Sequence, residues 1–211
     1  MKPRLFTFDI FGTVIDWQTG LKNSLKEIGI QLTPELFDRV IDLQAHDEQR
    51  GYKTYREITT ASLMKVLSLD FERADKIAAN IGNWPLFDDS KVGLLNLMDI
   101  APCAAISNSD RIHGDQVQKQ LGYPLSRWYC AEAAQVYKPD PKFWHFVSEQ
   151  IGIPLGRHWW HVSGYADYDL EVAQSLGLTC IFIPRPHARR GFFHHKVSDL
   201  STLARLALQT P

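Results

Sequence analysis

Asp9 closes a short apolar run, Leu5-Phe6-Thr7-Phe8, and a Gly12-Thr13 turn follows almost at once. A carboxylate in that place can act as a covalent nucleophile when it is ionised and faces an electrophile. Three later segments carry groups that suit it. Ser107-Asn108-Ser109-Asp110 leads into a helical pattern. Its small hydroxyl and amide groups, with free N–H groups at a helix start, can hold an anion. Val136-Tyr137-Lys138-Pro139-Asp140 supplies an ammonium that keeps a neighbouring carboxylate ionised. Ser163-Gly164-Tyr165-Ala166-Asp167-Tyr168-Asp169 supplies two more carboxylates, one of which can orient or deprotonate a water. Gly12 lets the chain turn sharply beside the nucleophile. The set describes an anion site with a nucleophile in it.

The elements needed to gather these groups are legible in the same pattern. Short apolar runs recur at 5–8, 103–106, 128–131, 159–162 and 178–183, with helix-like segments at 111–121, 141–151 and 167–176. Apolar runs alternating with helices indicate an α/β fold, a parallel sheet covered on both faces. Ligands of such sheets sit beyond the carboxyl ends of the strands, where all four segments fall. Taken singly, each residue also has an ordinary reading. Asp9 is a turn residue, the Ser-Asn-Ser-Asp run and the later aspartates are helix caps, and Lys138 is a solvated loop lysine. Their joint placement at successive strand ends favours a site.

Residues 15–89 break the rhythm with four helical patterns and no convincing strand. Thr33-Pro34 and the Asp70 region read as helix starts, and Gly29, Gly51 and Gly82 punctuate the joins. The expected organisation is a core domain of residues 1–14 and 90–211, with an all-helical domain of residues 15–89 inserted after the first strand.

The net charge of −1 provides no field to attract nucleic acid or an anionic membrane, so neither is expected as a partner. No run of 18 apolar residues spans a bilayer, and the N-terminal stretch lacks the layout of a signal peptide. Three widely spaced cysteines fit free thiols and a cytoplasmic location. Trp159 to Val162 read as a core strand. The basic stretch from Arg185 to Lys196 reads as a solvated loop, and His194-His195 lack a third ligand for a metal.

FDIFGTVIDW resembles the first motif of the haloacid dehalogenase superfamily. AISNSD is similar to its second motif, QVYKPDP to its third, and HVSGYADYDLEVAQSLGL to its fourth. The resemblance covers nearly the whole chain, with all four motifs in order. It implies a Rossmann-like core with a helical cap inserted after the first strand. It also implies that Asp9 forms an ester with substrate, that Lys138 is its partner, and that Thr13, Ser107 and Asn108 line the pocket. Asp169 best matches the fourth-motif acid, with Asp167 in reserve.

Phosphatases of the superfamily carry an acid two residues after the nucleophile, where this chain has Phe11. That acid protonates an alkoxide leaving group, help of roughly 10²- to 10⁴-fold. A halide whose conjugate acid is strong does not need it, and the resemblance is to the L-2-haloacid dehalogenase (type II) branch, which likewise has an aromatic residue there. The expected activity is hydrolysis of short 2-haloacids without cofactor or metal, releasing halide and a 2-hydroxy acid. The substrate carboxylate would lie against Ser107 and Lys138, with Phe11, Trp17 and the cap as apolar walls. The branch has a Trp-Arg pair early in the cap, whose Arg holds halide. Here Arg39 is the candidate in that region, with His46, Gln49 and Tyr52 as other donors. Tyr165 stands where the branch has Asn, and Trp144 where it has Tyr. The alternative is a phosphatase of a small metabolite using magnesium held by Asp9, Asp169 and the Phe11 carbonyl. Related enzymes imply a homodimer.

Overall fold

The computed structural model describes residues 1–211. Six parallel strands form one sheet: β1 (Leu5–Phe8), β2 (Cys103–Ser107), β3 (Arg127–Cys130), β4 (Trp159–Ser163), β5 (Thr179–Phe182) and β6 (His195–Lys196). Their spatial order is β3-β2-β1-β4-β5-β6. β1, β2, β4 and β5 are buried along their whole length, which is why they read as unbroken apolar runs and not as alternating ones. The two-residue β6 is too short to leave a periodic signal.

The strand order reverses direction between β1 and β4. Crossovers between parallel strands are right-handed, so the helices before and after the reversal cover opposite faces. α5 (Ser90–Met98) and α6 (Arg111–Leu121) connect the strands on one side of the reversal. α7 (Ala131–Ala134), α8 (Lys142–Ile151) and α9 (Glu171–Ser175) belong to the other side, and the C-terminal α10 (Leu200–Gln209) packs on α5. The reversal opens a crevice beyond the carboxyl ends of β1 and β4, the usual ligand position in such sheets.

Between β1 and α5 the chain is helical: α1 (Trp17–Glu27), α2 (Pro34–Glu48), α3 (Tyr55–Leu67) and α4 (Phe71–Ala78), then a 3₁₀ turn. Local chemistry fixes their starts. Asp16, Thr33, Thr54 and Asp70 each accept a backbone N–H in the first turn, and Pro34 opens α2. α2 buries Phe37, Val40 and Gln44, one face at helical spacing, and packs on α3. Entry and exit lie side by side. Ile15 bridges Leu86, and Asp16 N–H donates to the Pro85 carbonyl at 2.8 Å.

Asp110 ties the helical part to the core. Its carboxylate accepts the backbone N–H groups of Tyr55 and Arg56, both at 2.9 Å, at the positive end of α3. No helix is long and apolar enough to cross a membrane.

Candidate active site

β1 delivers Asp9 to the crevice, and the turn after it brings Thr13 back under the carboxylate. Thr13 Oγ1 donates to Asp9 Oδ2 at 2.6 Å and accepts the Gly164 N–H at 2.9 Å. The turn requires Gly12, whose φ is 95°. A Cβ there would also collide with the Tyr165 ring.

Lys138 approaches from the segment after α7. Its fully buried ammonium donates to Asp9 Oδ1 at 2.9 Å and to Asp169 Oδ2 at 3.0 Å. Asn108 sets the Lys138 backbone. It accepts the Lys138 N–H at 2.7 Å and donates to the Lys138 carbonyl at 2.9 Å. Ser107 lies beside them, its hydroxyl donating to Ser109 at 2.9 Å.

Asp169 stands in a π-helical turn, Ala166–Leu170, just before α9. One extra residue in a helical turn re-aims a side chain, and here it turns Asp169 inward while Asp167 stays at the rim, 3.9 Å from Arg189. A further contact was hidden in the strand pattern: His161, on β4, places Nε2 3.2 Å from Asp169 Oδ2. Thr7 lies 2.8 Å from His161 Nδ1 and accepts from Trp159 Nε1 at 2.7 Å.

Burial pushes the Asp169 pKa up, but Lys138 and His161 outweigh it and hold the carboxyl well below the usual range. Held so low, Asp169 is a poor base; its position makes it the anchor of Lys138. Asp9 goes the other way. Burial and the Asp169 charge raise its pKa despite Lys138 and Thr13. Lys138 loses to burial and gains more from the two carboxylates, so its pKa is raised.

Asp9 lies at the edge of a cavity of about 170 Å³. Phe11, Trp17, Ser107, Asn108 and Lys138 line it, as the sequence suggested. Phe11 stacks on Tyr55 from α3, and Trp17 packs at a tilt against Phe37 from α2. Helix α2 adds Ile41, Gln44, Ala45 and Glu48. Gln44 is committed elsewhere: it donates to Thr59 and Ser62 and accepts from Tyr55.

Several expectations are corrected. Arg39 is exposed and absent from the cavity lining, because the inward face of α2 runs through residues 37, 40, 44 and 48. His46 bonds Arg50 on the exterior, and Tyr52 stacks on Tyr137 outside the cavity; of the three other donors only Gln49 lines it. The basic stretch is not simply a solvated loop. Arg185 is nearly buried, pairs with Asp89 at 2.9 Å and donates to the Thr13 carbonyl at 3.0 Å. Arg189 lines the mouth of the cavity, 3.3 Å from Asp42.

A hard divalent cation takes about six oxygen ligands. Asp9 and Asp169 are both bonded to the Lys138 ammonium, Glu48 and Asp167 lie in the cavity lining, and position 11 offers a backbone carbonyl but no carboxylate. No group of three His, Cys, Asp or Glu side chains is placed to hold a metal.

No protein-family model matches the chain. No curated protein matches it by sequence either. Solved structures do. The L-2-haloacid dehalogenase PA0810 is 24% identical, with 99% of this chain and 100% of that one covered and a TM-score of 0.85. The L-2-haloacid dehalogenase of Xanthobacter autotrophicus with chloropropionic acid covalently bound is 16% identical over 99% and 100%, with a TM-score of 0.84. The magnesium-bound protein YfnB of Bacillus subtilis is 15% identical over 99% and 100%, with a TM-score of 0.80. The chain has the α/β, Rossmann-like fold of these haloacid dehalogenase-type proteins.

Proposed function

We propose that this chain is a hydrolase that releases halide from short 2-haloacids through an ester formed on Asp9. One observation carries the reading. Asp9 sits between Thr13 and Lys138 at the edge of a small, largely apolar cavity, with Phe11 in place of a neighbouring acid. Thr13 and Lys138 hold one oxygen each and fix the carboxylate for attack. A cavity of about 170 Å³ is below the usual range for drug-sized ligands and suits an acid of a few carbons.

In this reading the Asp9 carboxylate attacks the halogen-bearing carbon, and the bonding pair leaves with the halide. Water then attacks the ester at the Asp9 carboxyl carbon and frees the 2-hydroxy acid. Lys138 and Ser107 receive the substrate carboxylate, and Arg189 at the mouth attracts it. Phe11, Trp17 and the helical cap exclude bulk water. The L-2-haloacid dehalogenases of the same fold support this assignment by analogy.

The test is halide release from 2-chloropropionate, with mass spectrometry of enzyme quenched during turnover. The expected result is an adduct on the Asp9 peptide that Asp9→Asn abolishes. Halide release that survives in that variant overturns the proposal. A second reading, a magnesium-dependent phosphatase of a small metabolite, draws support from the magnesium-bound neighbour YfnB. It gains if p-nitrophenyl phosphate is hydrolysed only with magnesium, stops with EDTA, and no haloacid releases halide.

A further inference from the structure

We propose that Glu48 is the proton donor to the leaving group, so that the site handles leaving groups too basic to depart unaided. The inference rests on the haloacid reading of Asp9 and assigns a catalytic role to a residue of the helical part of the chain. Glu48 is the last residue of α2 and lines the same cavity as Asp9. Helix α2 also lends Ile41, Gln44 and Ala45 to the lining, so its inner face borders the space in which a group leaving the Asp9-bound carbon must depart.

The carboxyl of Glu48 has one hydrogen bond, from Asn108 Nδ2 to Oε2 at 3.1 Å. No Lys or Arg pairs with it, because Lys138 is engaged by Asp9 and Asp169. The carbonyl end of α2 also disfavours a negative charge there. Asp9, Lys138, Tyr55, Tyr168, Asp167 and Arg189 share the cavity with it, and Tyr52, Tyr137 and Asp140 line the recess on its other side. Burial, with the Asp9 charge adding to it, pushes the Glu48 pKa up to about 8, while Asn108 and Lys138 pull it down. In the proposed step the group enters protonated, with Oε2 held by Asn108.

The step balances. Asp9 forms a C–O bond as the carbon–halogen bond breaks, and the bonding pair leaves on the halide. The Glu48 proton goes to the halide, leaving a carboxylate. When water attacks the Asp9 ester, the proton it loses restores Glu48 and the 2-hydroxy acid departs. Bromide and chloride are bases of strong acids and gain little from a donor. Fluoride is the base of a weak acid and gains most.

The experiment compares wild type and Glu48→Gln on 2-fluoro-, 2-chloro- and 2-bromopropionate, by fluoride electrode and halide assay across pH. Gln keeps the Asn108 contact and cannot transfer a proton. The expected result is about a 100-fold loss in kcat for fluoride release and less than about 3-fold for bromide. Wild-type fluoride release also falls above about pH 8, and this limb is absent from bromide release. Equal losses across the three halides mean that Glu48 only shapes the pocket, and overturn the proposal. An infrared carboxyl band assigned by Glu48→Gln and showing an ionised group at pH 7 overturns it independently of turnover. A wild type that releases none of the three halides ends the haloacid reading, and this inference with it.

Discussion

His161 Nε2 lies 3.2 Å from Asp169 Oδ2, and neither side chain is open to solvent. The imidazole is thus the outer support of the ammonium that holds Asp9. Replacing it by Leu removes a polar neighbour from a buried carboxylate, at a cost of about 1–3 kcal/mol. Asp169 has a depressed folded pKa, so its contribution is present above the unfolded value and is lost as pH falls through the folded one. His161→Leu should therefore lower stability at neutral pH and move acid unfolding to higher pH. Urea titrations at neutral pH and acid titrations carried to about pH 1 measure the two effects.

Lys138 carries the converse dependence. Its folded pKa is raised, so its contribution is complete below the unfolded value near 10.5 and fades as pH rises through the folded value. Lys138→Met leaves Asp9 and Asp169 facing each other in the interior without a cation. The expected loss is about 3–5 kcal/mol at neutral pH, with turnover abolished. Double substitution of Lys138 to Met and Asp169 to Asn should restore much of the stability and none of the activity.

In the proposed reaction Asp9 is ionised when it attacks, and its pKa is raised chiefly by burial. The acid limb of kcat/KM should accordingly lie above the ordinary aspartate range. Thr13→Val removes the 2.6 Å hydrogen bond and should move that limb higher still. A pH–rate profile of the two proteins checks the direction.

Arg189 lines the mouth of the cavity with its guanidinium partly exposed. Arg189→Ala should raise KM for an anionic substrate by about 10-fold, with kcat little changed. The salt dependence of kcat/KM should weaken in the same variant.

Arg185 grips Asp89 with two nitrogens, at 2.9 and 3.2 Å, and donates to the Thr13 carbonyl. Arg185→Met leaves the Asp89 carboxylate without its cation, held only by the Leu200 N–H, and frees the turn that positions Thr13. The expected destabilisation is about 3 kcal/mol. For a chain of this size that lowers Tm by roughly 6–12 °C. Calorimetry of the variant tests it.

The legible part of the site was the part each strand delivers by itself. Asp9 and Ser107 end their apolar runs directly, and Lys138 and Asp169 follow theirs after a short helix and a turn, all at one end of the sheet. Glu48 and Arg189 reach the cavity only through the docking of α2 and the path of a long loop, which no local pattern encodes. The exterior position of Arg39 was readable in principle, since Phe37, Val40 and Gln44 define the inward face of its helix. His161 was not. A strand buried on both sides carries no alternation to say which face a residue takes, and its partner Asp169 arrives through an irregular turn.

The bridge between Ile15 and Leu86 makes the two ends of the helical segment hydrogen-bonded neighbours on the sheet side. A short reverse turn could splice them together with no change in strand register. The segment is therefore a cassette. A lineage can exchange it wholesale, and so can a protein engineer, to acquire a new selectivity while inheriting the aspartate and its lysine intact.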